Sequence, residues 1–396
     1  MRLTDEEVSM LDGEKGPAME RAMEIVIGLA RIYNAKNLVK ITSANVSGVS
    51  YKNLTEHGIH FLNEWADMGA KVSVPTTLNP AGMDLLNWKE HNIPQVFAKK
   101  QREVIAAFER MGIPPTCTCT PYLINNLPKN GEHVAWGESS AVCYANSVLG
   151  ARTNREGGPS ALASAICGRT GNYGLHLDEN RRAKLKVNVN CKLEDESQYG
   201  ALGKMVAKEA GNDVIFFEGI SPNESQLKAL GASLAAWGGV AMFHVKGVTP
   251  ESTMAHQNEM RELDIDSIKS ACKAMNDPTG KVDMVSLGCP HASKEELEKI
   301  ARLLDKKTVK TTLWVTTSRM VKDESKEAVN IIENAGGTVV ADACVVVAPM
   351  TDLGFKHLAT NSAKMAHYAP GHCKATVRFG SLVQCIEAAI SGRWGP

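Results

Sequence analysis

The sequence predicts an α/β protein built from βαβ units around mainly parallel sheets, and three observations carry that expectation. Short runs rich in β-branched and aromatic residues alternate with helical stretches through the second half of the chain. Helix signals fall between those runs: Ser293 followed by Glu296 reads as a capping box, and Gly336-Gly337 as a C-terminal stop. With 396 residues, 43% of them apolar, the chain is long enough to bury two or three cores.

Near the N-terminus, residues 19–33 carry apolar side chains at helical spacing and residues 38–41 read as a strand. A helix over about 55–68 stops at Gly69 and leads into Val72-Ser73-Val74. Between Pro114 and Gly174 the rhythm breaks into Gly, Ser, Thr, Asn and Arg, a loop-rich stretch of the kind that builds sites. Regular alternation then resumes. Strands are expected at 213–217, 240–245, 282–287, 311–316 and 338–341, with helices at 224–236, 265–275, from 293, and up to 335. The expected organisation is an N-terminal α/β lobe over 1–205 holding the active-site segment 114–182, a second lobe over 206–345, and a segment 346–396 packing back at the site.

Lys and Arg total 44, as do Asp and Glu, so no net field draws the chain to nucleic acid or an anionic membrane. No apolar run of about 18 residues suggests a membrane span. The opening residues, MRLTDEEVSMLDGEKG, lack the apolar core of a secretion signal. The expected location is cytoplasmic, where the ten cysteines stay reduced and metal ligation is a better role than disulfides.

Ligands of parallel sheets bind beyond the carboxyl ends of the strands. There the sequence places Gly288-Cys289-Pro290-His291, Thr317-Ser318-Arg319 and Asp342-Ala343-Cys344, and the first strand runs into residues 42–50. Cys289 and Cys344 are thereby the best-placed thiols for a shared metal. Cys117 and Cys119, two apart in an extended stretch before Pro121, share one side. No CxxC pair occurs, so a structural zinc ribbon is not expected. Scattered thiols suit a cluster with fewer than four protein ligands, leaving one iron open as a Lewis acid. Cys143, Cys167, Cys272 and Cys385 read as core residues, while Cys191 and Cys373 stay open.

Glycines and arginines of residues 137–182 (Arg152, Arg155, Arg169, Arg181 and Arg182) form a candidate anion-binding region. The chain has no Walker loop, no Rossmann fingerprint and no GxSxG elbow, which removes nucleotide and serine-hydrolase chemistry. His176, His291, His367 and His372 are acid–base candidates, none assigned a role.

Several of these segments together resemble the aconitase X family of iron-dependent hydro-lyases. The residues that carry the likeness are Ser47-Gly48-Val49-Ser50, Asn79-Pro80-Ala81-Gly82, Thr118 to Tyr122, Gly137-Glu138-Ser139 and the block ANSVLGARTN at 145–154. It extends through Gly168 to Gly171, Gly288 to His291, Asp342-Ala343-Cys344 and Ala363 to Tyr368. The resemblance implies an aconitase-like fold of at least two lobes. It implies Cys119, Cys289 and Cys344 as ligands of an iron–sulfur cluster, expected as [4Fe–4S], with [2Fe–2S] or a single iron as the other forms and Cys117 as the alternative to Cys119. Gly48, Val49, Ser50, Asn79, Pro80, Glu138, Ser139 and Lys364 correspond to substrate-pocket positions, where backbone amides and Lys364 meet a small anionic substrate.

Members acting on hydroxyproline carry a small swivelling domain that supplies a catalytic serine, for which this chain has no spare region. The likeness is greatest to the branch that holds that domain as a separate small subunit, in a heterodimer or a dimer of heterodimers. That branch dehydrates (R)-5-phosphomevalonate to trans-anhydromevalonate 5-phosphate in isoprenoid precursor synthesis. The implied catalytic base is then outside this chain. The competing readings are a hydro-lyase of cis-3-hydroxy-L-proline or another hydroxy acid, and a non-catalytic α/β binding subunit whose cysteines are only packed.

Overall fold

A computed structural model describes residues 1–255, 259–278 and 280–395. Its strands are β1 (Leu38–Lys40), β2 (Ala44–Val46), β3 (Thr76–Leu78), β4 (Ala135–Trp136), β5 (Arg169–Gly171), β6 (Leu185–Val189), β7 (Ile215–Glu218), β8 (Phe243–Val245), β9 (Arg261–Ile265), β10 (Met284–Leu287), β11 (Thr312–Thr317), β12 (Thr338–Ala341), β13 (His357–Thr360) and β14 (Thr376–Phe379). Among the described residues they form three parallel sheets, ordered β3-β2-β4, β8-β7-β6-β9 and β12-β11-β10-β13-β14. The pair β1-β5 is antiparallel. The α/β class with parallel βαβ units is what the structure shows.

Helices complete the layers. The helix Pro17–Ile32 starts with proline at its first turn and buries Ala22, Met23, Val26, Ile27 and Ala30 at i, i+3 and i+4 spacing. Glu196–Ala210 and Glu224–Gly238 cross over between β6, β7 and β8, and bury Leu202, Val206, Leu230 and Leu234 against Phe217 and Phe243. In the last unit Lys294–Leu304 opens on the Ser293–Glu296 capping box, present in full. No helix among the described residues is long and apolar enough to cross a membrane.

The sheets divide the chain at other points than the sequence suggests. The cut at 205/206 falls inside the helix Glu196–Ala210, and the cut at 345/346 inside the turn Val345–Val347. Each sheet is drawn from one continuous segment, and β13 and β14 belong to the same sheet as β10 to β12, so the series does not end at residue 341. The missed strands are polar or short. β6 alternates apolar residues with Lys186 and Asn188, and β9 is a charged edge strand that ends at Ile265, the residue where a helix is expected to start. The helix that follows β9 is only Lys269–Ala274.

Strand order places the site. In the last sheet the chain starts at the central β10, builds outward through β11 and β12, then returns to the other side of β10 with β13 and β14. The order reverses between β10 and β13, and a crevice opens at the carboxyl ends of strands at such a switch point. Cys289 follows β10 and Lys364 follows β13.

Candidate active site

Two parallel sheets direct their carboxyl ends to one cavity. After β2 come Gly48, Val49 and Ser50, after β3 come Asn79 and Pro80, and after β4 come Glu138 and Ser139. From the last sheet come Cys289 after β10, Cys344 after β12 and Lys364 after β13. Cys119, in the loop between β3 and β4, completes the lining. The first strand does not serve this site, because β1 is antiparallel to β5; it is β2 that delivers residues 47–50. The cavity holds about 280 Å³, near the lower end of small-molecule sites (about 300–1,000 Å³), room for a small acid rather than a dinucleotide.

Local backbone geometry sets the thiols. Gly288 has φ +81°, and a Cβ there would stand 2.1 Å from the Thr316 carbonyl oxygen, so only glycine turns the chain from β10 into Cys289. Cys344 is held by main-chain bonds to the Asn79-Pro80-Ala81-Gly82 segment. Its N–H donates to the Ala81 carbonyl at 3.1 Å, and the Ala81 N–H donates to the Asp342 carbonyl at 2.8 Å. Cys117 faces elsewhere and is wholly buried in the core of the first unit, so the two cysteines of this loop do not share the site.

Burial pushes the thiols of Cys119 and Cys344 up to about 12 and that of Cys289 up to about 11. The Lys364 ammonium works the other way on each, and the thiols raise one another. The thiolates therefore need a cation beside them to exist at neutral pH. Three soft sulfur donors around one cavity are a donor set for iron or a similar metal. No three Cys, His, Asp or Glu side chains among the described residues are drawn together as for a single ion.

Lys364 and Glu138 form a buried ion pair across the two sheets, and Lys364 Nζ also donates to Ser140 Oγ at 3.0 Å. Glu138 caps its helix by accepting from the Ser140 N–H at 3.3 Å, and accepts from Asn79 Nδ2 at 2.8 Å. Burial opposes the Glu138 charge, but the Lys364 ammonium outweighs it and holds the carboxyl below the usual range. Burial likewise opposes the Lys364 charge, and Glu138 with the Cys119 and Cys289 thiols keeps the amine above the usual lysine value.

Of the histidines, His291 and His372 line the cavity, whereas His176 and His367 do not. Burial lowers His291 to about 4, so its ring is neutral. Nε2 lies 2.8 Å from the Ala343 carbonyl and must donate, which leaves Nδ1 to accept from Thr118 Oγ1 at 2.9 Å.

The arginines of residues 137–182 do not line the cavity. Arg169 pairs with Glu6 and Glu7, Arg181 pairs with Glu251 at 2.7 Å, Arg152 pairs with Asp178, and Arg155 donates to the Ala235 carbonyl. They tie the first unit to the N-terminal helix and to the second sheet, and only the 137–139 end of that region reaches the cavity. The undecided cysteines are structural: Cys191 packs on the second core, and buried Cys373 donates from Sγ to the Val345 carbonyl at 3.6 Å. The sequence reading missed Asn53, Thr316 and Tyr368 in the lining. Asn53 lies three residues beyond Ser50, and Tyr368, the last residue of the segment that carries the resemblance, lies four beyond Lys364, a helical spacing that would have found both.

Comparison with known proteins gives consistent results. Models of the aconitase X first, second and third domains match residues 1–179, 183–277 and 282–391. The phosphomevalonate dehydratase large subunit of Methanocaldococcus jannaschii is 46% identical, with the match covering 99% of this chain and 100% of that protein. The cis-3-hydroxy-L-proline dehydratase of Hypocrea jecorina is 34% identical over 99% of this chain but 69% of its own length. The crystal structure of Thermococcus kodakaraensis aconitase X in its holo-form superposes with a TM-score of 0.92 at 44% identity, covering 98% of this chain and all of that one.

Proposed function

The chain belongs to the aconitase X family, and on that premise we propose that it is the large, catalytic subunit of a hydro-lyase that converts (R)-5-phosphomevalonate to trans-anhydromevalonate 5-phosphate and water. The observation that carries the reading is the single cavity lined together by three thiols and by the Lys364–Glu138 pair. Substrate choice follows the relatives: those at 44–48% identity are phosphomevalonate dehydratase large subunits, and hydroxyproline dehydratases stand at 34%.

Cys119, Cys289 and Cys344 would hold an iron–sulfur cluster, taken here as [4Fe–4S], with one iron left without a protein ligand. Buried thiols that need a cation to ionise support a bound metal centre at this cavity. Such a cluster supplies a Lewis acid that turns a substrate hydroxyl into a better leaving group. The chain's own residues bind and orient. Backbone amides of Gly48 to Ser50 and the Lys364 ammonium meet the carboxylate and phosphate charges, and Glu138 fixes where that ammonium lies. The α proton passes to a base, the β hydroxyl departs, and the two leave as one water with a C=C bond formed.

Glu138 and His291, the buried carboxyl and imidazole of the lining, are not free to be that base. Glu138 is committed to Lys364, Asn79 and Ser140, and both ring nitrogens of neutral His291 are occupied. The base in this reading is a serine of a small swivelling subunit that closes the cavity, so the large chain alone is inactive. The reading places the enzyme in the cytoplasm, where thiols stay reduced.

Its test is anaerobic reconstitution of the chain with that small subunit, followed by assays on (R)-5-phosphomevalonate and on cis-3-hydroxy-L-proline. Turnover of the phosphorylated acid, absent from either subunit alone, is expected. Turnover of hydroxyproline alone overturns the substrate assignment, and full activity of the large chain alone overturns the divided site.

A further inference from the structure

Four consecutive carbonyl groups follow Cys344, and each is held by a side chain from elsewhere. Val345 accepts from Cys373 Sγ at 3.6 Å, Val346 from Lys52 Nζ at 3.2 Å, Val347 from Ser50 Oγ at 2.8 Å, and Ala348 from Lys52 Nζ at 3.1 Å. The third proton of the Lys52 ammonium goes to the carbonyl of His372 at 2.9 Å. His372 ends the helix Ala363–His372, near whose start Lys364 stands. A lysine ammonium at that end also opposes the partial negative charge of the helix C-terminus.

Lys52 lies outside the cavity lining, two residues beyond Ser50. Its three bonds run from the loop that carries Gly48, Val49 and Ser50 to the turn that begins at Cys344 and to the end of the Lys364 helix. We propose that Lys52 is a positioning residue: it clamps the Cys344 turn and the Lys364 helix to the Gly48–Ser50 loop, so that metal ligand and anion-binding groups hold one geometry. Without the clamp, the side-chain bonds to the turn's carbonyls are reduced to those from Ser50 and Cys373, Ala348 keeps only the Met350 N–H, and the carbonyls of Val346 and His372 lose their side-chain partner beside a site built for anions. This assignment rests on the proposed site, with Cys344 as a cluster ligand and the Gly48–Ser50 loop as an anion contact.

The test compares wild type, Lys52→Met and Lys52→Arg, the last retaining a cation that can donate to several carbonyls. In the cluster-free full-length chain, hydrogen exchange of segments 344–350 and 370–374 should quicken in K52M and return toward wild type in K52R, while the sheet β6 to β9 exchanges as before. In the two-subunit holoenzyme, K52M should lose iron to a chelator and raise KM for phosphomevalonate, each by roughly ten-fold, the scale of one lost charged hydrogen bond, with a smaller fall in kcat. Unchanged exchange in K52M overturns the clamp. Altered exchange with wild-type iron loss and KM overturns its role in the site. A wild type that binds no cluster points instead at the site reading, which the exchange result for the clamp does not depend on.

Discussion

The backbone N–H of His291 donates to Cys119 Sγ at 3.2 Å. An N–H aimed at sulfur favours the thiolate over the thiol, and it comes from the residue two beyond Cys289. The ring of the same histidine bonds Thr118, next to Cys119, and Ala343, next to Cys344. One neutral side chain therefore ties together the three segments that carry the thiols.

His291→Ala should weaken metal loading although His291 is no ligand. It removes two buried hydrogen bonds and strands the Ala343 carbonyl, while Thr118 Oγ1 keeps its bonds to Thr120, a cost of about 1–3 kcal/mol. Denaturant titration of the cluster-free chain should show that loss, and iron content after reconstitution should fall. Wild-type iron content with the full loss of stability would separate folding from site organisation, and would contradict this account.

Lys364→Met should be among the costliest single changes at the site. It leaves the Glu138 carboxylate buried without its cation, a penalty of about 3–5 kcal/mol, and removes the ammonium expected to meet the substrate. Glu138→Gln in the same background should recover part of the stability and none of the activity, because the stranded charge is gone while the anion site stays broken. Recovery of turnover by the double variant would count against Lys364 as a substrate contact.

Acid should destabilise the chain through a pair remote from the cavity. His133 and His176 stack, with their Nδ1 atoms 2.8 Å apart, and burial lowers His176 to about 3. Unfolded histidine titrates near 6.5, so between about 6.5 and about 3 the unfolded chain binds more protons and stability falls with falling pH, by up to about 1.4 kcal/mol per unit for this one group. The contribution is fully present above about 6.5. Chemical denaturation across pH 7 to 5 should show a gentler decline in His176→Gln than in wild type, and equal slopes would remove the pair as the cause.

The parts of this molecule most legible in the sequence were those with strong local patterns. β10 to β12, with Leu287, Leu313, Val315 and Val339 in the core, stand out as apolar runs between capped helices. Their place after strand ends alone puts Cys289 and Cys344 at one edge of the sheet. β6 and β9 escaped because Lys186, Asn188, Arg261 and Glu262 give them the look of surface. The arginines misled because a guanidinium at a glycine-rich turn reads alike whether it meets a ligand or a buried glutamate, as Arg181 meets Glu251. Lys52 carries no sequence signal, since its three partners are carbonyls contributed by residues about 300 positions away. The choice between Cys117 and Cys119 was also unreadable locally: it depends on Cys117 entering the core built by the first unit's helices.

Iron and acid-labile sulfide per chain, measured after anaerobic reconstitution of wild type and of four single Cys→Ala variants, tests the central claim most directly. The account predicts a filled cluster in wild type and in Cys117→Ala, whose cost is confined to packing. It predicts a lost or depleted cluster in each of Cys119→Ala, Cys289→Ala and Cys344→Ala. Wild-type iron and sulfide in any of those three, or their loss in Cys117→Ala with the fold intact, would contradict it.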